Sequence, residues 1–247
     1  MRRRRWLAVI ALILAATAVI FFRTYDGKPG PIPSEDEAAE AMNLSHWKAD
    51  AEVVLDRIRL DGRQLFVPYV SSSGKYGMGF LEWSKGKWRV TRVDPGGRPE
   101  LRILNHSDPS QRYIVWNLNP LGKMEQIRFY IIRDRNAGMS SGVYYYTPRV
   151  QMEERVDLTE RPYGALPFPE DWADIVREET RWSQISTGDV LDYLLSGLSS
   201  RQSTLRLGWI PDYAEGASPR SGYSKSGDDN TQFLLIMDDQ DLEQPGQ

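Results

Sequence analysis

An uncharged run near the N-terminus, Trp6 to Phe22, places the strongest constraint on this chain. As a helix it would be ~25 Å long at about 1.5 Å per residue, which is enough to cross a bilayer. Arg2 to Arg5 precede the run and Arg23 follows it. Because arginines beside a span favour the cytoplasmic side, we predict a cytoplasmic basic tail over 1–5, a transmembrane signal-anchor helix over 6–23, and an extracytoplasmic location for the rest.

A cleaved signal peptide is the alternative to a retained anchor. Ala16-Thr17-Ala18 has the small-x-small form of a cleavage site. Val19 to Phe22 would then follow the cut, whereas cleavage normally occurs in a polar segment beyond the apolar one. We therefore favour a single-pass anchor in the cell membrane, with the lipid bilayer as the partner of residues 6–22.

A segment rich in proline and glycine follows the predicted anchor and is predicted to be a linker over 24–33. Ser34 to Glu37 has the form of a capping box and predicts a helix from Glu35 to about Leu44. Beyond the linker we predict one extracytoplasmic α+β domain over 34–237, followed by an acidic tail over 238–247.

Short β segments separated by turn signals fill residues 51–150, and turns this short imply antiparallel pairing. We predict strands at 53–60, 64–70, 77–83, 87–93, 100–104, 112–118, 127–133 and 143–150. Pro68 cannot donate a ladder hydrogen bond, so its strand is predicted to be an edge or bulged strand. Strict alternation in the fourth strand would place Trp88, Val90 and Arg92 on one face.

The sequence after Pro162 has a helical pattern. Pro169 is expected to lie near the first position of a helix whose apolar stripe contains Trp172, Ile175 and Val176. Thr187 is expected to cap a second helix. One last strand is predicted at 232–237. The predicted fold class is therefore α+β: an N-terminal transmembrane helix, then an antiparallel β-meander sheet packed against C-terminal helices.

Two glycine-rich motifs invite a catalytic interpretation. Ser71 to Phe80, SSSGKYGMGF, is followed by a strand rather than the helix that a phosphate loop opens. We interpret it as a hairpin loop, with Gly77 and Gly79 leaving room on one strand face for a neighbouring aromatic ring or for a bulge. Residues 138–142, GMSSG, have the form of a nucleophile elbow, but a strand-like segment follows them and both histidines precede them, so we interpret them as a hairpin turn.

The sequence offers few side chains that could bind a metal ion or a cofactor. The chain has no cysteine and two histidines, His46 and His106, which leaves little for a transition-metal site. Calcium would have to use Asp228-Asp229-Asn230 or the acids of 238–241, neither of which has the twelve-residue loop spacing. We predict no catalytic, cofactor or metal site.

Charge is distributed unevenly along the chain. The whole protein has a net charge of −3, yet Lys75 to Arg135 carries twelve basic and six acidic residues, a balance of +6. Such a segment favours an anionic partner. The residues predicted to form this patch are Lys75, Lys85, Lys87, Arg89 and Arg92.

The arrangement resembles that of many exported proteins of Gram-positive bacteria: a basic N-terminus, one anchor, a short helix, and a meander with a hairpin, here Gly86-Lys87-Trp88-Arg89-Val90. The resemblance implies a location at the cell surface. We predict a non-enzymatic binding or accessory module of the bacterial cell envelope, whose partner is an anionic envelope polymer, a lipid headgroup or an acidic protein; nucleic acid is not expected. The alternative is an envelope-polymer hydrolase that uses two carboxylates distant in sequence.

Overall fold

The structure is a computed structural model that describes residues 27–140, 143–186, 205–215 and 228–243. The predicted span at 6–22 and the predicted second C-terminal helix lie outside these residues. Among the residues described, no helix is both long and apolar enough to cross a membrane. They form mainly antiparallel sheets with two α-helices, which confirms the antiparallel α+β character predicted from the sequence.

The chain divides into two compact units, Met1–Pro95 and Gly96–Gln247. One domain is predicted over 34–237 from the sequence, whereas the division falls between the strands predicted at 87–93 and 100–104. Each unit has its own cluster of buried apolar side chains.

The first unit is one helix on a five-stranded antiparallel sheet. Its elements are α1 (Glu35–Ser45), β1 (Ala51–Val54), β2 (Ile58–Arg59), β3 (Gln64–Ser71), β4 (Tyr76–Ser84) and β5 (Lys87–Asp94). The strand order is β1-β3-β4-β5, with β2 also paired to β3. The predicted capping box is confirmed, since Ser34 and Glu37 exchange side chain-to-backbone hydrogen bonds.

Pro68 lies in the middle of β3, which has partners on both sides, so the predicted edge position is wrong. The neighbouring strand is interrupted opposite Pro68, because β1 ends at Val54 and β2 begins at Ile58. The Leu55 amide donates to the Pro68 carbonyl at 2.9 Å. In an antiparallel strand the backbone N and O atoms of one residue point to the same neighbouring strand. The Pro68 nitrogen, which has no hydrogen to donate, therefore faces the gap between β1 and β2.

The pairing of β4 with β5 shifts by one residue at Thr91, because Val90 and Arg92 lie opposite consecutive residues of β4. A bulge of this kind reverses the alternation of faces. Trp88, Val90 and Val93 consequently all pack on the core of the first unit. Arg92 does not share the face of Trp88, and that prediction is wrong.

The second unit contains two four-stranded sheets, a two-stranded ribbon and one long helix among the residues described. Its elements are β6 (Glu100–Ile103), β7 (Arg112–Asn117), β8 (Met124–Arg133), β9 (Asn136–Ser140), β10 (Val143–Thr147), β11 (Val150–Asp157), β12 (Tyr163–Pro167), α2 (Glu170–Ser186), β13 (Leu205–Tyr213), β14 (Thr231–Phe233) and β15 (Leu235–Ile236). The sheet orders are β12-β7-β6-β14 and β11-β8-β13-β15, and β9 pairs with β10. The pairing of β13 with β15 is parallel.

Helix α2 follows Pro169, as predicted, and contributes to the main core of this unit. Trp172 and Val176 are buried, and Ile175 packs against the same cluster. Strand β13 was not predicted, although it lies inside its sheet. The predicted last strand, 232–237, is two short strands that belong to different sheets. Residues 136–140, which lie between the strands predicted at 127–133 and 143–150, form β9.

Candidate functional site

The β4–β5 hairpin carries most of the predicted basic patch. Lys85 and Gly86 form its two-residue turn with φ values of 52° and 74°, and Ser84 pairs with Lys87 across it. Two residues with positive φ match the twist of a tight hairpin. The turn lies between the strands predicted at 77–83 and 87–93, and we call residues 83–89 the hairpin end.

Two tryptophans face each other across the hairpin end. Trp83 and Trp88 are cross-strand partners whose ring centroids lie 5.7 Å apart at an interplanar angle of 72°. The Trp88 indole donates to the Pro31 carbonyl at 2.9 Å. A Cβ on Gly30 would lie 2.9 Å from the Trp83 ring. The backbone of residues 30–31 therefore packs on this pair, and the close approach requires glycine at position 30.

Other described residues of the predicted linker also contact the first unit. Arg63 Nη2 donates to the Gly27 carbonyl at 3.0 Å, and Arg57 Nη1 donates to the Pro33 carbonyl at 2.8 Å. Ile32 packs against the core of the first unit. Residues 27–33 of the predicted linker are therefore held against the first unit.

The predicted patch residues occupy three different environments. Lys85, Lys87 and Arg89 are exposed at the hairpin end, with Arg89 Nε donating to the Ser84 carbonyl at 3.2 Å. Lys75 is exposed in the β3–β4 turn, at the opposite end of β4. Nine residues of strand place the two ends roughly 27 Å apart.

Arg92, the fifth predicted patch residue, is buried. Its guanidinium lies 2.9 Å from the Asp94 carboxylate and 5.2 Å from the centroid of the Phe80 ring. Since burial removes its charge from the surface, the exposed patch at the hairpin end consists of Lys85, Lys87 and Arg89.

A second basic cluster lies in the second unit and was not predicted. We call it the arginine face: Arg128, Arg135, Arg149 and Arg206. These residues come from β8, β13 and the segments that flank the β9–β10 ribbon, so no local sequence signal joins them. Asp212 makes a bidentate contact with Arg128 at 2.9 and 3.0 Å, and Asp134 contacts Arg149 and Arg206 at 3.0 and 3.1 Å.

The acidic C-terminal segment covers the arginine face. Residues 238–243, here called the strap, place Asp239 beside Arg128, Asp241 beside Arg206, and Glu243 beside Arg135 and Arg149. Leu242 of the strap packs against a small apolar cluster made of Tyr130, Ile132, Ile210 and Met237. Residues 238–243 of the predicted acidic tail are therefore bound to the arginine face.

A hydrogen-bonded chain joins the arginine face to β11. Arg128 Nη1 donates to the Tyr130 hydroxyl at 3.0 Å, and that hydroxyl donates to Glu153 Oε2 at 2.7 Å. Burial, together with the bond to Glu153, raises the pKa of Tyr130 to about 12. Burial alone would raise the pKa of Glu153, but hydrogen bonds from Tyr130 and Arg155 outweigh it and lower that pKa.

The weaker sequence candidates for metal chemistry have protein partners. Arg102 Nη1 contacts both carboxylate oxygens of Asp228 at 3.0 and 2.9 Å, and Asn230 Oδ1 lies 2.9 Å from His106 Nε2. Among the described residues no three acidic or histidine side chains are grouped as a metal site would require.

The elbow-like motif at 138–142 joins two antiparallel strands, because Ser140 pairs with Val143. Residues 141 and 142 lie outside the described residues. The flanking pairing agrees with the interpretation of this motif as a hairpin.

Comparison with known proteins gives no match. No protein-family model matches the chain, and no curated protein and no solved structure matches it.

Proposed function

We propose that the protein is a membrane-anchored, non-enzymatic binding module of the cell envelope. In this proposal the first unit presents its hairpin end to the anionic headgroups of the bilayer that holds the predicted anchor. One observation carries it: the segment that leads from the predicted anchor is docked on the hairpin end, where Lys85, Lys87 and Arg89 are exposed.

Chain length supports this arrangement. Four residue steps separate Arg23 from Gly27, which is at most about 14 Å of extended chain. Gly27 is bound to Arg63, and the Arg63 carbonyl accepts from the Trp83 amide at 2.8 Å. An anchor that ends at Arg23 would therefore keep the hairpin end close to the membrane surface.

The magnitude of the effect is modest and depends on salt. A basic residue close to an anionic membrane surface contributes about 1 kcal/mol, so three exposed residues contribute about 3 kcal/mol at low ionic strength. Screening over a Debye length of about 10 Å at 0.1 M salt weakens this attraction. The interaction would orient a protein that is already anchored.

Single cysteines test the proposal, because the native chain contains none. The full chain is reconstituted into vesicles with a fluorophore at Ser84→Cys in the hairpin end or at Ser73→Cys in the opposite turn. A nitroxide on the lipid headgroups should quench the label at position 84 at least threefold more strongly than the label at position 73. The difference should require anionic lipid and shrink in 1 M salt.

Charge variants complete the test. Lys85→Asn, which keeps a residue that tolerates positive φ, combined with Lys87→Gln should reduce quenching at position 84. Lys75→Gln at the far end of β4 is the matched control and should change nothing. Equal quenching at the two labelled positions would contradict the proposal. Binding of a soluble phosphodiester polymer through Lys85 and Lys87 in zwitterionic vesicles would assign the patch to an envelope polymer instead.

A further inference from the structure

The strap is held on the second unit by contacts that are individually weak. Its acidic side chains remain partly exposed, with relative accessibilities of 70% for Asp239, 37% for Asp241 and 38% for Glu243. Ion pairs between side chains with this exposure are individually weak. Leu242 adds partial apolar burial. A segment bound in this way can exchange with a competitor that makes the same contacts.

The charge of the arginine face indicates that a competitor of the strap must be anionic. Without the strap, the four arginines of the arginine face stand against Asp134 and Asp212, a balance of +2. The strap contributes four acids, Asp238, Asp239, Asp241 and Glu243. The face is thus electropositive, and an anionic segment neutralises it.

Two side chains bind the main chain of the strap. The Gln151 amide accepts from the Glu243 N–H at 2.9 Å and donates to the Glu243 carbonyl at 3.4 Å. Arg149 Nη2 donates to the Asp241 carbonyl at 3.0 Å. These contacts require amide N–H and carbonyl groups along the ligand, which a peptide backbone supplies and a polyphosphate lacks. The apolar cluster beneath Leu242 adds a position for one apolar side chain.

We propose that the arginine face is a docking site for a short acidic segment of a partner protein, folded into the same turn as the strap, and that the strap occupies this site in cis until the partner displaces it. The strap sequence Asp-Asp-Gln-Asp-Leu-Glu serves as the template for the ligand: acids for the arginines, one apolar residue for the cluster around Tyr130, and a backbone for Gln151. A tethered strap acts as a competitor at an effective concentration in the millimolar range. The proposal concerns the second unit and does not rest on the function proposed for the hairpin end.

The test uses the fluorescently labelled hexapeptide of the strap sequence and the full chain in detergent. Binding is measured by anisotropy to the unchanged protein and to a variant whose strap is neutralised by Asp239→Asn, Asp241→Asn and Glu243→Gln. The neutralised variant should bind the peptide at least tenfold more tightly. A stop codon after Met237 opens the site by a second route and should have the same effect, with circular dichroism melting used to establish folding.

Two further comparisons identify the site and its ligand. Arg206→Gln in the opened protein should weaken peptide binding at least fivefold, while Arg155→Gln, whose side chain is paired with Glu153 on the same sheet face, is the matched control. Polyphosphate of equal charge should bind more weakly than the peptide. The proposal is overturned if neither opened protein binds more tightly than the unchanged chain, if Arg155→Gln weakens binding as much as Arg206→Gln, or if polyphosphate binds as tightly as the peptide.

Discussion

The ring of Tyr69 in β3 packs directly on the backbone of Gly77 in β4. The two residues are cross-strand partners, and Tyr69 is fully buried. A Cβ on Gly77 would lie 2.3 Å from Tyr69 Cζ and 2.5 Å from its hydroxyl oxygen, closer than any real Cβ contact. The prediction that this glycine leaves room for an aromatic ring is therefore confirmed.

Substitution of Gly77 should destabilise the first unit. Gly77→Ala forces the buried Tyr69 ring to move in a packed core, which costs about 1–3 kcal/mol in the free energy of unfolding. Gly62→Ala is the control, because nothing lies within 4 Å of a Cβ at that position, and it should stay within about 0.5 kcal/mol of the native chain. Denaturant titration measures both, and equal losses would contradict the packing argument.

Features set by neighbouring residues could be predicted from the sequence. The Ser34–Glu37 capping box spans four residues and the Lys85-Gly86 turn spans two, so the signal for each feature lies within a short stretch of sequence. The burial of Arg92 depends instead on a one-residue shift between two strands at Thr91. Neither strand specifies that shift alone, because register is a property of the pair.

The arginine face could not be predicted because its residues come from distant elements. Strand β13, which carries Arg206, contains Gly208 and Pro211, and both residue types are depleted in strands. Gly208 has a packing reason that local sequence hides: a Cβ there would lie 2.5 Å from the Met237 side chain. The sequence predicts the acidic tail but not its docking, because its arginine partners lie far away in sequence.

Asp94 should be the most sensitive charged residue of the first unit. Asp94→Ala leaves the guanidinium of Arg92 buried without its carboxylate at 2.9 Å, which is expected to cost about 3–5 kcal/mol in the free energy of unfolding. Replacing both residues by Leu should recover most of that loss, since a well-packed apolar pair needs no compensating charge.

An exposed ion pair provides the comparison for Asp94. Asp174 contacts Arg177 at 2.6 Å and has a side-chain accessibility of 68%. Asp174→Ala should therefore cost no more than about 1 kcal/mol. The result would contradict the burial argument if Asp94→Ala were as mild as Asp174→Ala, or if the double Leu variant were as unstable as Asp94→Ala.

Tyr130 should make stability depend on pH in the alkaline range. Its pKa is raised to about 12 in the folded protein, whereas an unfolded tyrosine titrates near about 10. Between these values the folded state retains a proton that the unfolded state has lost, so the free energy of unfolding falls as the pH rises from about 10 to about 12. Tyr130→Phe should flatten this slope in urea titrations.

A second tyrosine limits how much of the slope Tyr130→Phe can remove. Burial also raises the pKa of Tyr69, so Tyr130→Phe should retain part of the slope. An identical slope in the Tyr130→Phe variant and the native chain would show that the proton on Tyr130 does not stabilise the fold.

Trp88 should control whether residues 27–33 stay on the hairpin end. Trp88→Phe keeps an aromatic ring but removes the donor to the Pro31 carbonyl at 2.9 Å, a loss of about 1 kcal/mol. Because proteolysis follows the population of the locally open form, a protease that cuts on the N-terminal side of lysine should cleave the bond between Gly27 and the exposed Lys28 about fivefold faster. Trp47→Phe, at a side chain 83% exposed, should leave the cleavage rate unchanged. Equal cleavage rates for the two variants would mean that contacts other than the Trp88 indole hold residues 27–33. Those contacts would then keep the hairpin end near the predicted anchor.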